Sequence, residues 1–137
     1  MTLVIDTSVA VKWVTPEPGL EHALELVARP LVAPDLFQAE IANVLTKKLR
    51  SREFGEEQAR FAFRLILSRV PLLPTGAYGD AAFELSLSLH HSVYDCYFLA
   101  AAEALGKRLV TADRTFAEKV RSTERASLIY LLGEEIP

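Results

Sequence analysis

Short apolar runs and amphipathic stretches alternate along the 137 residues of this chain. The apolar runs are rich in β-branched residues and end at a proline, an acid or a hydroxyl residue, as buried strands do. They predict strands over 3–5, 31–33, 70–74, 108–111 and 127–130. Pro71 and Pro74 restrict the third of these to the edge of a sheet, because proline cannot donate to a strand ladder.

Apolar residues at helical spacing fill the intervals between these runs. They predict helices over 9–14, 20–27, 36–51, 56–70, 80–89, 94–105 and 113–121. Strands that alternate with helices favour an α/β fold with a short, mostly parallel central sheet and helices on both faces. The short connection between the third and fourth helices predicts a helical hairpin. We expect a single domain over 1–137, with a core of about 2–131 and a short C-terminal tail.

Local details of these helices can also be predicted. Asp35 with Gln38, and Ser92 with Asp95, have the three-residue spacing of a capping box, in which each side chain binds a backbone amide of the first turn. Phe61 is expected to face the core from the second helix of the hairpin.

Charge and cysteine content narrow the possible functions. The 15 basic and 18 acidic residues give a formal charge of −3, so any basic surface for nucleic acid must be local. The single Cys96 excludes an intramolecular disulfide and fits a reducing compartment, and we expect it to be a buried thiol. The opening apolar run is too short for a signal peptide, and no later segment can span a bilayer. These features predict a cytoplasmic protein.

Four acids lie where a buried apolar segment meets a turn or a helix start: Asp6, Glu40, Asp95 and Asp113. In a parallel sheet the carboxyl ends of the strands share one edge, and helix N-termini reach the same edge. Two carboxylates about 4 Å apart repel by roughly 4 kcal/mol at an effective dielectric of 20, so such a cluster needs protons or a cation. Oxygen ligands favour Mg²⁺ or Mn²⁺, and the hydroxyls of Thr7, Ser8 and Thr111 can orient them.

Simpler interpretations of the same residues remain open. Asp6, Asp95 and Asp113 each stand where a helix cap is common, and Glu40 can be an ordinary solvated helix acid. The adjacent pair His90–His91 suggests a metal site, but neighbouring helix residues diverge, so we expect a surface pair. The pattern of acids alone gives only a modest preference for a metal site.

Four segments in order carry a resemblance to a known family: LVIDTS at 3–8 followed by Lys12-Trp13, AEIANVL at 39–45, VYD at 93–95 and LVTADRTF at 109–116. Together they resemble the PIN-domain family, and specifically the VapC-type toxins of toxin–antitoxin pairs. The resemblance extends from residue 3 to about 130. It implies a Mg²⁺- or Mn²⁺-dependent endoribonuclease, a homodimer, and a small cognate antitoxin that holds it in check.

The resemblance assigns the four acids to one catalytic site. Asp6 and Asp95 are expected to bind a metal, with Glu40 contributing and Asp113 completing the site or holding a second ion. Asn43 joins the three hydroxyl residues as a supporting group. The predicted reaction is hydrolysis of RNA phosphodiester bonds by metal-activated water.

A basic cluster on the third helix, Lys47, Lys48 and Arg50, is a candidate RNA rim together with Arg114. It can equally be a solvated helix end favoured by the helix dipole. The alternative to the whole assignment is a catalytically silent PIN-like scaffold that binds RNA or a protein partner.

Overall fold

The computed structural model describes all 137 residues, and its centre is a five-stranded parallel sheet. The strands are β1 (Leu3–Ile5), β2 (Leu31–Pro34), β3 (Leu72–Leu73), β4 (Arg108–Thr111) and β5 (Ile129–Leu131). Their order across the sheet is β3-β2-β1-β4-β5, so β3 forms an edge as its prolines required. The predicted α/β class with a parallel sheet is confirmed.

Seven α-helices flank the sheet. They are α1 (Thr7–Ala10), α2 (Leu20–Val27), α3 (Leu36–Arg50), α4 (Glu56–Arg69), α5 (Gly79–Leu89), α6 (Val93–Leu105) and α7 (Arg114–Arg121). A 3₁₀ turn over Val11–Trp13 extends α1, so the predicted first helix is split between two geometries. Helices α3 and α4 pack against each other as the predicted hairpin. No helix is both long enough and apolar enough to cross a membrane.

The central strand β1 is buried on both faces, and this explains its uninterrupted apolar sequence. It pairs with β2 on one side and with β4 on the other. In the second ladder Ile5 lies opposite Val110. The next residue on each strand, Asp6 and Thr111, is therefore adjacent across the end of the ladder.

The two predicted capping boxes are wrong. Asp35 already has helical backbone angles, φ −67° and ψ −12°, and its side chain makes no bond to α3. Its carboxylate instead accepts hydrogen bonds from the Thr75 hydroxyl and from the Thr75 backbone amide at 3.1 Å. Ser92 likewise makes no side-chain cap bond at the start of α6. The Asp35 carboxylate thus has a partner outside the first helical turn, and Ser92 has no replacement cap bond.

The predicted inward position of Phe61 is also wrong, because its side chain is 69% exposed. Ala62 takes the inward position expected of Phe61, whereas Ile66 faces the core as its helical spacing predicts. The predicted burial of Cys96 is confirmed, and the thiol lies on the buried face of α6.

Candidate active site

The four predicted acids lie on elements that converge at the carboxyl edge of the sheet. Asp6 directly follows β1, and Asp113 comes two residues after β4. Glu40 is the fifth residue of α3, which follows β2, and Asp95 is in the first turn of α6. Helix α6 contacts β1, β2 and β4, and this brings its first turn to the other acids.

Two hydroxyl groups fix the carboxylate of Asp6. Ser8 Oγ donates to Oδ1, and Thr111 Oγ1 donates to Oδ2. Each hydroxyl in turn accepts a backbone amide: Ser8 Oγ from Ala112 at 2.9 Å, and Thr111 Oγ1 from Asp113 at 3.1 Å. Because each hydroxyl oxygen accepts a backbone amide, its hydrogen is directed at Asp6. The residues at the end of β4 and just after it therefore set the orientation of the Asp6 carboxylate.

Asp6 is the most buried acid of the site, with only 5% of its surface exposed. Burial raises the pKa of its carboxyl to about 7, although the Ser8 and Thr111 hydrogen bonds act in the opposite direction. The charges of Asp95 and Glu40 raise it further. Without a cation, Asp6 is therefore protonated far more readily near neutral pH than an exposed aspartate is.

Glu40 is held in a similar way from the start of α1. Thr7 Oγ1 donates to Glu40 Oε1 over 2.8 Å. Partial burial raises the pKa of Glu40, the Thr7 hydrogen bond opposes that rise, and the charge of Asp95 adds to it. The negative charge of Asp95 thus raises the pKa of two of the other acids, Asp6 and Glu40.

His91 is a site residue that sequence reasoning missed. It was expected to be a surface group, but its side chain is 10% exposed and its Nε2 lies 2.6 Å from Asp95 Oδ2. One donor atom from each of His91, Asp95 and Asp113 falls within 4.8 Å of the other two. Helical spacing gave no signal for this contact, because His91 lies in the connection between α5 and α6, outside both helices.

Asp113 serves as the cap that one interpretation of the sequence proposed. Its Oδ1 accepts the backbone amide of Phe116 at 3.1 Å and so begins α7. It also belongs to the cluster with Asp95 and His91. The cap and the cation-ligand interpretations are therefore compatible, because a capping carboxylate has a second oxygen.

The site combines several carboxylates with no basic side chain to balance them. None of the nine ion pairs in the structure joins a lysine or arginine to any of the four acids. Buried carboxylates without a countercharge are unfavourable unless they bind protons or a metal ion.

The remaining predicted residues lie outside this network. Asn43 is exposed on α3, and its side chain forms no hydrogen bond. Its supporting role stays a prediction.

The proposed RNA rim divides into two kinds of residue. Lys48 Nζ lies 3.5 Å from a carboxylate oxygen of Glu53 and 3.9 Å from one of Glu17, so much of its charge is balanced. Lys47 and Arg50 are exposed on α3 without an ion-pair partner, and Arg114 is exposed at the start of α7. Their contact with RNA stays a prediction.

The chain is similar to known proteins along most of its length. The family model described as PIN domain matches residues 3–121. The chain is 34% identical over 124 residues to Ribonuclease VapC3 of Pyrobaculum aerophilum, a match that covers 87% of this chain and 95% of that protein.

Two solved structures share the fold. PAE2754 from Pyrobaculum aerophilum superimposes with a TM-score of 0.71 at 22% identity, over 94% of this chain and 83% of that one. VapBC2 from Rickettsia felis, bound to a DNA fragment from its promoter, gives a TM-score of 0.69 at 17% identity, over 96% and 98% of the two chains. On the match of the family model and of the relative along most of its length, this chain belongs to the PIN-domain family.

Proposed function

We propose that this protein is a divalent-metal-dependent endoribonuclease that acts in the cytoplasm as the toxin of a type II toxin–antitoxin pair. Its family membership and its similarity to a protein named as a VapC ribonuclease support hydrolysis of RNA. We further infer that residues 1–137 work as one domain, since the elements that carry the four acids all surround a single sheet.

The buried, uncompensated carboxylate of Asp6 is the observation that carries the proposal. Its raised pKa, about 7, means that the folded protein disfavours the charged form that an exposed aspartate would adopt near neutrality. Glu40 and Asp95 are close enough to increase this cost, and no basic residue reduces it. Such a group is retained at a functional site more often than in a structural one.

Asp6, Glu40, Asp95 and Asp113 are the residues that we expect to hold the cation, which we take to be Mg²⁺, with Mn²⁺ also suitable. When bound, the cation supplies Lewis-acid polarisation of the phosphate and lowers the pKa of a coordinated water. Thr7, Ser8 and Thr111 keep the carboxylates of Asp6 and Glu40 in fixed orientations before any ligand arrives. The proton that Asp6 carries in the free protein must leave its carboxyl when the cation binds.

The proposed partners of this chain rest on its similarity to known proteins. One of the solved structures that share this fold carries the two-part name VapBC2. This supports a small antitoxin as the partner of the chain. We expect a homodimer as the toxin unit. Lys47, Lys48, Arg50 and Arg114 are the residues that we propose for phosphate contacts along the RNA.

End-mapping of cellular RNA after induction of the wild type and of Asp6→Asn tests the function. The wild type should produce new RNA ends with 3′-hydroxyl and 5′-phosphate groups, and cleavage by the purified protein should require Mg²⁺ or Mn²⁺. Asp6→Asn should produce none of these ends while it stays folded, because its Oδ1 can still accept one of the two hydroxyl hydrogen bonds that Ser8 and Thr111 donate to Asp6. Metal-dependent cleavage retained by Asp6→Asn would contradict the assignment.

A further inference from the structure

His91 is more tightly fixed than a residue in an inter-helix connection needs to be. It follows the end of α5, where His90 takes a left-handed conformation with φ 50° that turns the chain inward. Ser86 binds its backbone on both sides: the His91 amide donates to Ser86 O at 3.3 Å, and Ser86 Oγ donates to His91 O at 2.6 Å. The imidazole stacks on the buried ring of Phe116, with 4.6 Å between centroids.

Lys119 determines which nitrogen of His91 carries the proton. Its ammonium donates to the backbone oxygen of His90 at 3.0 Å and lies 3.2 Å from His91 Nδ1. An ammonium can only donate, so Nδ1 must present its lone pair. The proton of the neutral imidazole is then on Nε2, the nitrogen that lies 2.6 Å from Asp95 Oδ2.

We propose that His91 is the positioning residue of Asp95: its Nε2–H, oriented by Lys119, holds Oδ2 and leaves the other oxygen of Asp95 for a cation. The inference rests on the proposed function, because the orientation of Asp95 matters most if the site binds a metal ion. No other side chain or backbone amide donates to Asp95 in the structure, so this one hydrogen bond fixes the acid that acts on both Asp6 and Glu40. Hydrogen bonds of this kind to a ligating carboxylate commonly change metal affinity by about 10- to 100-fold.

The competing role for His91 is direct ligation, since its ring lies in the cluster with Asp95 and Asp113. A ligating Nε2 must lose its proton, and the neutral ring would then carry it on Nδ1, facing the ammonium of Lys119. That arrangement loses one hydrogen bond and creates a donor-to-donor contact. The position of Lys119 therefore favours donation to Asp95 over ligation.

Long-range ¹H–¹⁵N correlation spectra of the full chain, labelled at histidine and kept in EDTA, read the tautomer directly. His91→Gln identifies which of the three histidine signals belongs to His91. The expected result is a neutral ring protonated on Nε2. A ring protonated on Nδ1 overturns the proposal without the need for any variant to fold.

Calorimetric titration with MnCl₂ alone gives the second measurement. His91→Leu should bind Mn²⁺ more weakly by roughly 10- to 100-fold, whereas His91→Gln, whose side-chain amide can donate to Asp95, should recover most of the affinity. His90→Asn is the matched control, because asparagine tolerates the left-handed backbone and the exposed His90 ring touches no acid; it should bind as the wild type does.

Two results would overturn the inference: an unchanged Mn²⁺ affinity in His91→Leu, or a hyperfine coupling in the Mn²⁺ EPR spectrum that shows an ¹⁵N atom bonded to the metal. Failure of the proposed function looks different. In that case the wild type cleaves no RNA with Mn²⁺ or Mg²⁺, whatever the tautomer of His91 and the Mn²⁺ affinity of the variants.

Discussion

Replacing Asp6 with asparagine should stabilise the metal-free protein. Burial raises the pKa of this carboxyl from 3.8 to about 7, so between these values the folded state binds a proton that the unfolded state lacks. The free energy of unfolding therefore falls as the pH rises through this window and levels off above pH 7. About three pH units at about 1.4 kcal/mol each give an upper limit of roughly 4 kcal/mol. The neutral side chain of the Asp6→Asn variant would carry no such cost.

Thermal and urea unfolding in EDTA at pH values between 4.5 and 8 measures this difference. At pH 7.5 we expect Asp6→Asn to gain about 2–4 kcal/mol over the wild type, roughly 5–15 °C in Tm for a domain of this size. At pH 4.5 the gain should fall to about 1 kcal/mol, because the carboxyl of the folded wild type is then protonated and this pH lies only about 0.7 units above the pKa of 3.8 in the unfolded chain. Excess Mg²⁺ should raise the Tm of the wild type more than that of the variant, since only the wild type keeps the full ligand set.

Asp35→Asn is the matched control for this experiment. The two Thr75 hydrogen bonds lower the pKa of the Asp35 carboxyl, which is exposed, and they outweigh a smaller desolvation effect that acts in the opposite direction. The same substitution should therefore lose stability at neutral pH instead of gaining it. If Asp6→Asn gains nothing in EDTA at pH 7.5, or gains as much at pH 4.5, the repulsive acidic site described above is wrong.

Three further predictions concern other parts of the chain. Asp113→Asn should keep the α7 cap and the stability of the fold but lower the Mn²⁺ affinity in a calorimetric titration. Asp113→Ala should also lower the free energy of unfolding in urea by about 1 kcal/mol. If Asp113→Asn binds Mn²⁺ as tightly as the wild type, Asp113 is a helix cap only. Lys47→Ala with Arg50→Ala should weaken RNA binding and reduce the slope of its salt dependence by about 1–2, and an unchanged slope would exclude them from the rim. Burial raises the pKa of Cys96 to about 11, so at pH 8 iodoacetamide should label it only when the protein is unfolded; rapid labelling of the native protein would contradict that burial.

The strands were predictable because their signals are local. β-branched residues flanked by proline, acid or hydroxyl residues define β1 and β4, and the observed bounds match the expected ones at 3–5 and 108–111. The parallel arrangement then follows from the alternation with helices. The convergence of the strand-end acids is a consequence of that topology, and this is why the acidic site could be inferred before its geometry was known.

The side-chain partners were not predictable in the same way. The spacing of Asp35 and Gln38 suggested a local cap, but the carboxylate found two donors in Thr75, which lies 40 positions later. Long-range donors of this kind are set by the packing of β3 against β2 and leave no mark on the local sequence.

His91 shows the same limit in another form. It was correct that His90 and His91 diverge, since the ring of His90 is exposed. The left-handed backbone at His90 then turns the next side chain into the site, and no local pattern marks that conformation for a histidine. Because His91 lies outside α6, its four-residue separation from Asp95 carried no helical signal in the sequence.

The way in which the acids are held is itself evidence about what they are for. Each of the four accepts a hydrogen bond from a neutral donor: a hydroxyl for Asp6 and Glu40, a backbone amide for Asp113, and an imidazole for Asp95. A lysine or arginine at any of these places would orient the carboxylate equally well and would also cancel its charge. Neutral donors fix the geometry and leave the negative charge in place. If these acids served only the stability of the fold, lysine or arginine partners would increase that stability, because buried like charges destabilise a protein. Orientation without neutralisation is the arrangement that a binding site for a divalent cation requires.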